Sequence, residues 1–284
     1  MDKAWHDIID EVARLKAEIS EPGYATIWYR GHSDAQWNCL STLHRHVEDF
    51  MARCSLTGDD EWKIGLLKTV NHTLYHKFVA RASHLLEPLE RSKWGVVFSM
   101  RHQGFLTRLL DWTESFACAL HFAQSDRRAD QDTAIYLLNP QFLNEISCGR
   151  RGLIALHRVE PGPSSFDPDL WHPAFDTEIS LPTIAVAPVF TNRRMIAQQC
   201  AFTISGDSFQ SLEAQYPTCV RKLVLPAHTF KDAQNFLELA GASHFGYFPD
   251  LEGLRREFTQ MLEQEVQDML RYQAGGSTKK DNTA

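Results

Sequence analysis

The sequence predicts a mixed α/β fold, and two patterns carry the prediction. Short runs rich in β-branched and aromatic residues, at 25–29, 133–138, 184–190, 201–205 and 221–225, read as strands. Stretches before, between and after them place apolar residues at three and four spacing, the mark of a helix with one buried face. Strands and helices mixed in this way along one chain pack as helices against a sheet.

The elements follow in order. Trp5, Ile8, Ile9, Val12, Leu15 and Ile19 make an amphipathic first helix, which Glu21-Pro22-Gly23 ends. The strand over 25–29 closes on Arg30-Gly31. Residues 60–92 hold one or two helices, and 94–102 continue the helical pattern up to Gly104. Residues 106–113 read as a turn loaded with polar groups. The segment 115–123 is rich in helix formers, with Thr113 or Ser115 as its cap. Asn139-Pro140 stops the strand over 133–138. Prolines 161, 163, 168, 173, 182 and 188 mark a long loop, in which Phe166, Trp171 and Phe175 call for burial. Helices over 229–239 and from 251 to about 272 complete the chain. Nothing marks an internal boundary, so residues 1–274 are expected to form one domain and the polar tail 275–284 to be disordered.

Hydrophobic residues make up 43% and charged residues 23%, which suits a core of ordinary size. The net charge of −7 argues against broad nonspecific nucleic-acid binding but leaves room for a local basic groove. No basic-then-apolar leader opens the chain, and no apolar run is long enough to span a bilayer, so a cytoplasmic location is expected. Six cysteines, without a C-x-x-C pair or zinc-like spacing, read as reduced thiols buried as small hydrophobes.

Four segments could carry chemistry. In Trp28-Tyr29-Arg30-Gly31-His32, an arginine at a strand end can present its planar fork to a phosphate or pair with a buried carboxylate. Around Arg101-His102-Gln103-Gly104 and Thr107-Arg108-Leu109-Leu110-Asp111-Trp112-Thr113, Asp111 could orient Arg108 or Arg30, and Trp112 could offer a flat face to a ring. Asp111 and Thr113 could equally cap the following helix, whose N-terminus is itself suited to anions. The run 192–202 places two arginines and two glutamines before a strand. The last, 245–253, reads first as an N-cap at Asp250 ahead of a helix. No P-loop, G-x-G-x-x-G, H-E-x-x-H or G-x-S-x-G occurs. His72 and His76 stand at i,i+4 without an evident third ligand, so no metal is expected.

In this order the segments resemble the FRG-domain family, named for an aromatic-Arg-Gly triplet, here Tyr29-Arg30-Gly31. The family pattern continues with Gln-His-x-Gly-x-Pro-Thr-Arg-Leu-Leu-Asp-Trp-Thr and an Ala-x-x-Phe-Ala helix. An Arg-x-x-x-Gln-x-Gly-x-Phe strand entry and a late Phe-Pro-Asp-Leu-x-Gly follow. The chain supplies 101–113, Ala119 to Ala123, Arg194 to Phe202 and Phe248 to Gly253, and departs at Arg101 (Gln in the family), Leu106 (Pro) and Cys200 (Gly). The likeness runs over about residues 5–258.

The motif order is in turn similar to that of ADP-ribosyltransferases of the Arg-Ser-Glu type. That resemblance implies a central mixed, mostly antiparallel split sheet surrounded by helices. It also implies NAD as substrate and a macromolecular target, DNA, RNA or protein, as for a toxin or a defence effector. Arg30, Thr113, Gln198 and Gln199 would be catalytic. Tyr29, Arg30, Gly31, His102, Arg108, Asp111, Trp112, Thr113 and Ser115 would contact NAD. Those enzymes close their last motif with a glutamate, because positive charge develops at the ribose carbon. Cys200 stands there in this chain. Either Glu178, Asp111 or Glu252 takes that role, or the fold binds a nucleotide, or nucleic acid, without transferring anything. A hydrolase or nuclease using Asp111 and His102 is the third reading.

Overall fold

A computed structural model of the chain describes residues 3–20, 26–125, 127–128, 130–156, 167–175, 177–188 and 190–277, without the side chains of 264, 268 and 271–277. The expected helix stop at 21–23, residue Phe166 and the tail from 278 fall outside these residues. The helices are α1 (Lys3–Ile19), α2 (Thr42–Arg53), α3 (Asp60–Ala82), α4 (Lys93–His102), α5 (Phe116–Gln124), α6 (Pro140–Cys148), α7 (Arg193–Ala197), α8 (Leu212–Gln215), α9 (Phe230–Leu239), α10 (His244–Tyr247) and α11 (Leu251–Ser277). The strands are β1 (Trp28–His32), β2 (Leu109–Thr113), β3 (Thr133–Leu138), β4 (Ile154–Ala155), β5 (Ile184–Ala187), β6 (Cys200–Ile204) and β7 (Val220–Leu225). They form one open sheet of seven strands in the order β4-β5-β6-β2-β1-β3-β7, antiparallel except for the β4–β5 pair. The fold is thus mixed α/β with a mostly antiparallel sheet. No described helix is long and apolar enough to cross a membrane.

One face of β1, β3 and β7 presents Tyr29, Ile135, Leu137, Leu223 and Leu225 to three helices. Trp5, Ile8, Leu15 and Ile19 from α1, Ala119, Leu120 and Ala123 from α5, and Ala233 and Leu237 from α9 cover it. The helical spacing read at 5–19 is therefore the buried face of α1. The opposite face buries Trp28, Tyr136 and Leu138 with Leu110 and Trp112. A further cluster packs α3 and α4 on β2, β5 and β6.

β1 lies three residues later than the sequence suggested, so Arg30 and Gly31 are inside the strand. β3 pulls the pairing through to His32, opposite Ala134. The expected turn at 106–113 is largely a central strand: β2 pairs along β6 from Leu109 opposite Ile204 to Thr113 opposite Cys200. Aspartate disfavours strands, and its presence hid one. Here burial of Leu109, Leu110 and Trp112 on both faces outweighs it. Of the loop aromatics, Trp171 is buried, whereas Phe175 is 46% exposed and lies beneath Lys93, with Nζ 4.1 Å from its ring centre. Of the cysteines, Cys39, Cys118 and Cys219 are buried, but Cys54 is exposed; all six are free thiols. α11 continues to Ser277, past the expected end near 272 and into the segment expected to be disordered.

The sheet is split at its centre. β1 follows β3 from Trp28 to His32, and β2 follows β6 throughout, yet β1 and β2 register at Tyr29–Thr113. Beyond that pair the two strands diverge. Gly31 makes this geometry compatible with α5, which crosses directly over it. A Cβ at position 31 would stand 1.9 Å from the Ala119 carbonyl oxygen and 2.6 Å from the Ala123 nitrogen. Both are helix backbone and cannot rotate away. Gly31→Ala is expected to cost about 1–3 kcal/mol or more by overpacking, seen as a lower urea midpoint.

Candidate functional site

The divergence of β1 from β2 opens a cavity of about 540 Å³. Tyr29 to Ser33 line it from β1 and the turn beyond, Arg101 and His102 from the last turn of α4, and Asp111 to Thr113 from β2. Ala119, Phe122 and Ser125 contribute from α5 and its end, and Arg194, Gln198 and Cys200 from α7 and the start of β6. Trp37 and Arg45 complete the rim. Segments far apart in sequence therefore meet at the split.

Arg30 spans the gap. Its Nη1 donates to the Asp111 carbonyl at 2.7 Å, and its Nε to His32 Nε2 at 2.8 Å. The guanidinium thus satisfies a carbonyl facing the divergence of the strands. The Asp111 carboxylate is held chiefly by Arg101: Nε donates to Oδ2 at 2.8 Å and Nη2 reaches the same oxygen. Arg30 Nη1 lies 3.7 Å from that oxygen. Burial alone would raise the carboxyl pKa of Asp111, but Arg101 and Arg30 outweigh it and hold it below the usual aspartate value. Arg101 sits at the C-terminus of α4, where the helix dipole favours a cation.

Because Nε2 of His32 accepts from Arg30, the ring proton belongs on Nδ1, which faces the Trp37 carbonyl at 3.3 Å. Burial and the neighbouring Arg30 push the His32 pKa down to about 3, so the ring is neutral at ordinary pH. His102 is also shifted downward, by burial and then by Arg194, and its buried Nε2 has no hydrogen-bond partner. Four guanidiniums, from Arg30, Arg45, Arg101 and Arg194, therefore face one carboxylate, Asp111, with the histidines uncharged. The lining is strongly electropositive although the chain carries −7.

The four guanidiniums are not equally committed. Arg30 and Arg101 are tied to Asp111. Arg194 lies over the Phe248 ring at 4.2 Å, which brings the Phe-Pro-Asp segment against this side of the cavity. The Arg45 guanidinium has no hydrogen bond or ion pair among the described residues. It stands on α2 in a His-Arg-His run that gave no motif signal.

Other expected site residues are placed differently. Arg108 is not in the cavity: its Nη2 binds Asp207 at 2.6 Å and its Nε the Ser205 carbonyl at 2.8 Å. It borders a separate cavity of about 320 Å³ with Lys68 and His72. The Trp112 indole is core, 2% exposed, with Nε1 donating to Thr203 Oγ1 at 3.1 Å, and offers no face to a ring. Thr113 touches the cavity, but its hydroxyl donates to the Gln198 carbonyl at 2.6 Å and accepts from Ser115 N. Ser115 lies outside the lining and caps α5 through Cys118 N. These bonds hold the Ser115 and Cys118 amides at the start of α5 within the chain. Gln198 is buried and donates to the Tyr247 carbonyl at 3.0 Å. Gln199 turns the chain from α7 into β6 with a left-handed φ of 46°, and its side chain is exposed away from the lining. The acids considered as substitutes also fall elsewhere: Glu252 pairs with Arg255 and Arg256 on the surface, and Glu178 is outside the lining. The His72 and His76 rings lie tilted to each other with centres 4.3 Å apart, and no group of three or more metal-ligating side chains occurs among the described residues.

Trp37 and Arg45 were not readable as site residues. They reach the cavity from different elements, and neither lies in a local pattern that ties it to the other.

The family model for the FRG domain matches residues 25–132. A search of curated proteins and a search of solved structures each found no match. The matched segment supplies β1, Trp37, Arg45, the end of α4, β2 and α5, while Arg194, Gln198 and Cys200 come from beyond it. Residues 25–132, which build most of the arginine-lined split, match the FRG-domain family.

Proposed function

We propose that the split in the sheet binds a phosphate-bearing ligand of the nucleotide class. The observation that carries this is the charge of the lining: four guanidiniums against one carboxylate that is already paired. Guanidiniums match phosphate oxygens in geometry and charge, and a partly enclosed site weakens screening by water. Arg45 is the group with most to gain, since its guanidinium has no hydrogen bond or ion pair among the described residues and only a longer-range attraction to Asp49.

Transfer of ADP-ribose from NAD to a macromolecule, nucleic acid or protein, is the second reading. It is favoured by the hydrogen bond from Thr113 to the Gln198 carbonyl, beside the split, which brings two parts of the motif series together. It needs a negative charge at the ribose carbon. Asp111 is the one carboxylate of the lining, and Arg101 and Arg30 hold it. Release of nicotinamide from NAD by the folded protein would favour transfer over binding alone.

The test is calorimetric titration of the folded protein with pyrophosphate, ADP and NAD. Arg45→Ala is expected to weaken binding about 10- to 100-fold, the value of one charge-assisted hydrogen bond. Its thermal midpoint should stay close to that of the parent, because Arg45 ties nothing in the fold. Absence of saturable binding of all three ligands at millimolar concentration would reject the proposal.

A further inference from the structure

Trp37 is placed as a ligand platform would be. The residue is 50% exposed at the rim of the arginine-lined cavity, while its main chain is pinned. The Trp37 carbonyl accepts from Tyr136 Oη at 2.8 Å and faces His32 Nδ1 at 3.3 Å. Its amide donates to the Asp34 carbonyl at 3.2 Å, in a turn where Asp34 Oδ1 also accepts from Gln36 N at 2.8 Å. Ala35 N, two residues before, donates to the Asp132 carbonyl at 2.8 Å. The turn is therefore fixed by hydrogen bonds that do not involve the indole. His32 touches the ring in an edge arrangement, with centres 6.1 Å apart.

The same histidine links this turn to the phosphate end. Arg30 donates to His32 Nε2, and His32 Nδ1 faces the Trp37 carbonyl. Arg30, His32 and Trp37 form one connected run along the cavity wall. Trp112, the ring that the motif would have assigned to stacking, is buried with its indole nitrogen satisfied.

We infer that Trp37 stacks the base of a nucleotide whose phosphates lie among Arg30, Arg45 and Arg101, so that the site takes nucleoside phosphates in preference to inorganic phosphate or pyrophosphate. The inference rests on the phosphate-binding reading above and adds the class of ligand to it. Every base has a π-face, and a half-exposed indole beside guanidiniums is the arrangement that single nucleotides and single strands use. Stacking is tolerant of base identity, so purine and pyrimidine diphosphates should both bind more tightly than pyrophosphate.

The experiment measures the dissociation constants of pyrophosphate, ADP and UDP by calorimetry for the parent protein, Trp37→Ala and Trp37→Phe. In the parent, ADP is expected to bind about tenfold or more tighter than pyrophosphate, the order of one base stack. Trp37→Ala should bring ADP and UDP down to the pyrophosphate value while pyrophosphate itself is unchanged. Trp37→Phe should keep most of the gap, since it retains a face. The thermal midpoint of each variant, compared with the parent, checks that it is folded. If the parent binds ADP and pyrophosphate equally, or if Trp37→Ala weakens both equally, the platform role is overturned and the phosphate site stands. If the folded parent binds neither ligand, the phosphate reading falls and this inference with it.

Discussion

Replacing Asp207 with alanine is expected to destabilise the protein by about 3–5 kcal/mol, the cost of leaving a buried charge without its partner. Asp207 is almost fully buried. Its Oδ1 binds Arg108 Nη2 at 2.6 Å, and its Oδ2 accepts from Leu181 N at 3.0 Å and lies 3.4 Å from Lys68 Nζ. The Arg108 side chain is 6% exposed, and burial already depresses its pKa, with Asp207 as the main offset. Without the carboxylate, a guanidinium remains in the core between β2 and the chain beyond β6. The loss is large against a total stability of about 5–15 kcal/mol. Urea denaturation at pH 7.5 measures it. The double variant Arg108→Met/Asp207→Leu is expected to recover much of the loss, because an apolar pair carries no desolvation penalty. If Asp207→Ala moved the midpoint no more than an exposed charge does, the pair would have no structural weight. Binding at the split should survive in the folded fraction, since Arg108 and Asp207 are outside its lining.

Stability is expected to fall steeply as the pH drops below about 6.5. Three buried histidines set the window. Burial is the leading cause in each, with Arg30 reinforcing it at His32 and Arg108 at His44. His32 and His44 are pushed down to about 3, and His172 to about 4, from an ordinary 6.5. Their folded values lie below the unfolded value, so between pH 6.5 and about 4 the unfolded chain binds protons that the folded chain refuses. The stability is present above pH 6.5 and is lost as the pH falls. Each such histidine contributes about 1.4 kcal/mol per pH unit, and three together about 4. Urea midpoints at pH 7.5, 6.5 and 5.5 would show a plateau and then a sharp decline, before most carboxylates titrate. A flat midpoint from pH 7.5 to 5.5 would mean that these rings are not held neutral. His44 explains why such positions occur: Nδ1 meets Ser41 Oγ at 2.7 Å and Nε2 the Gly206 carbonyl at 3.1 Å, so a neutral ring is satisfied without charge.

Much of the architecture could be read from the chain because it depends on short-range periodicity. The face of α1, the strand at 133–138 and the Ser115 cap of α5 each follow from neighbours a few residues apart. The family match was legible for a similar reason: its motifs are compact strings, 29–31 and 101–113, inside the matched segment. What required the tertiary structure were the decisions made by distant partners. Asp111 sits in a strand because Leu109, Leu110 and Trp112 are buried on both faces, and its charge is held by Arg101, not by Arg108. Arg108, within the same motif, pairs instead with Asp207, ninety-nine positions away. Trp112 is lost to the core and Trp37 takes the rim, which no local pattern distinguishes. The sequence by itself determined the buried face of α1, the strands at 133–138, 201–205 and 221–225, and the family that residues 25–132 match. The split between β1 and β2, and the guanidiniums gathered around it, were decided by pairing across the sheet, since electrostatic neighbours are set by proximity in space and not by spacing along the chain.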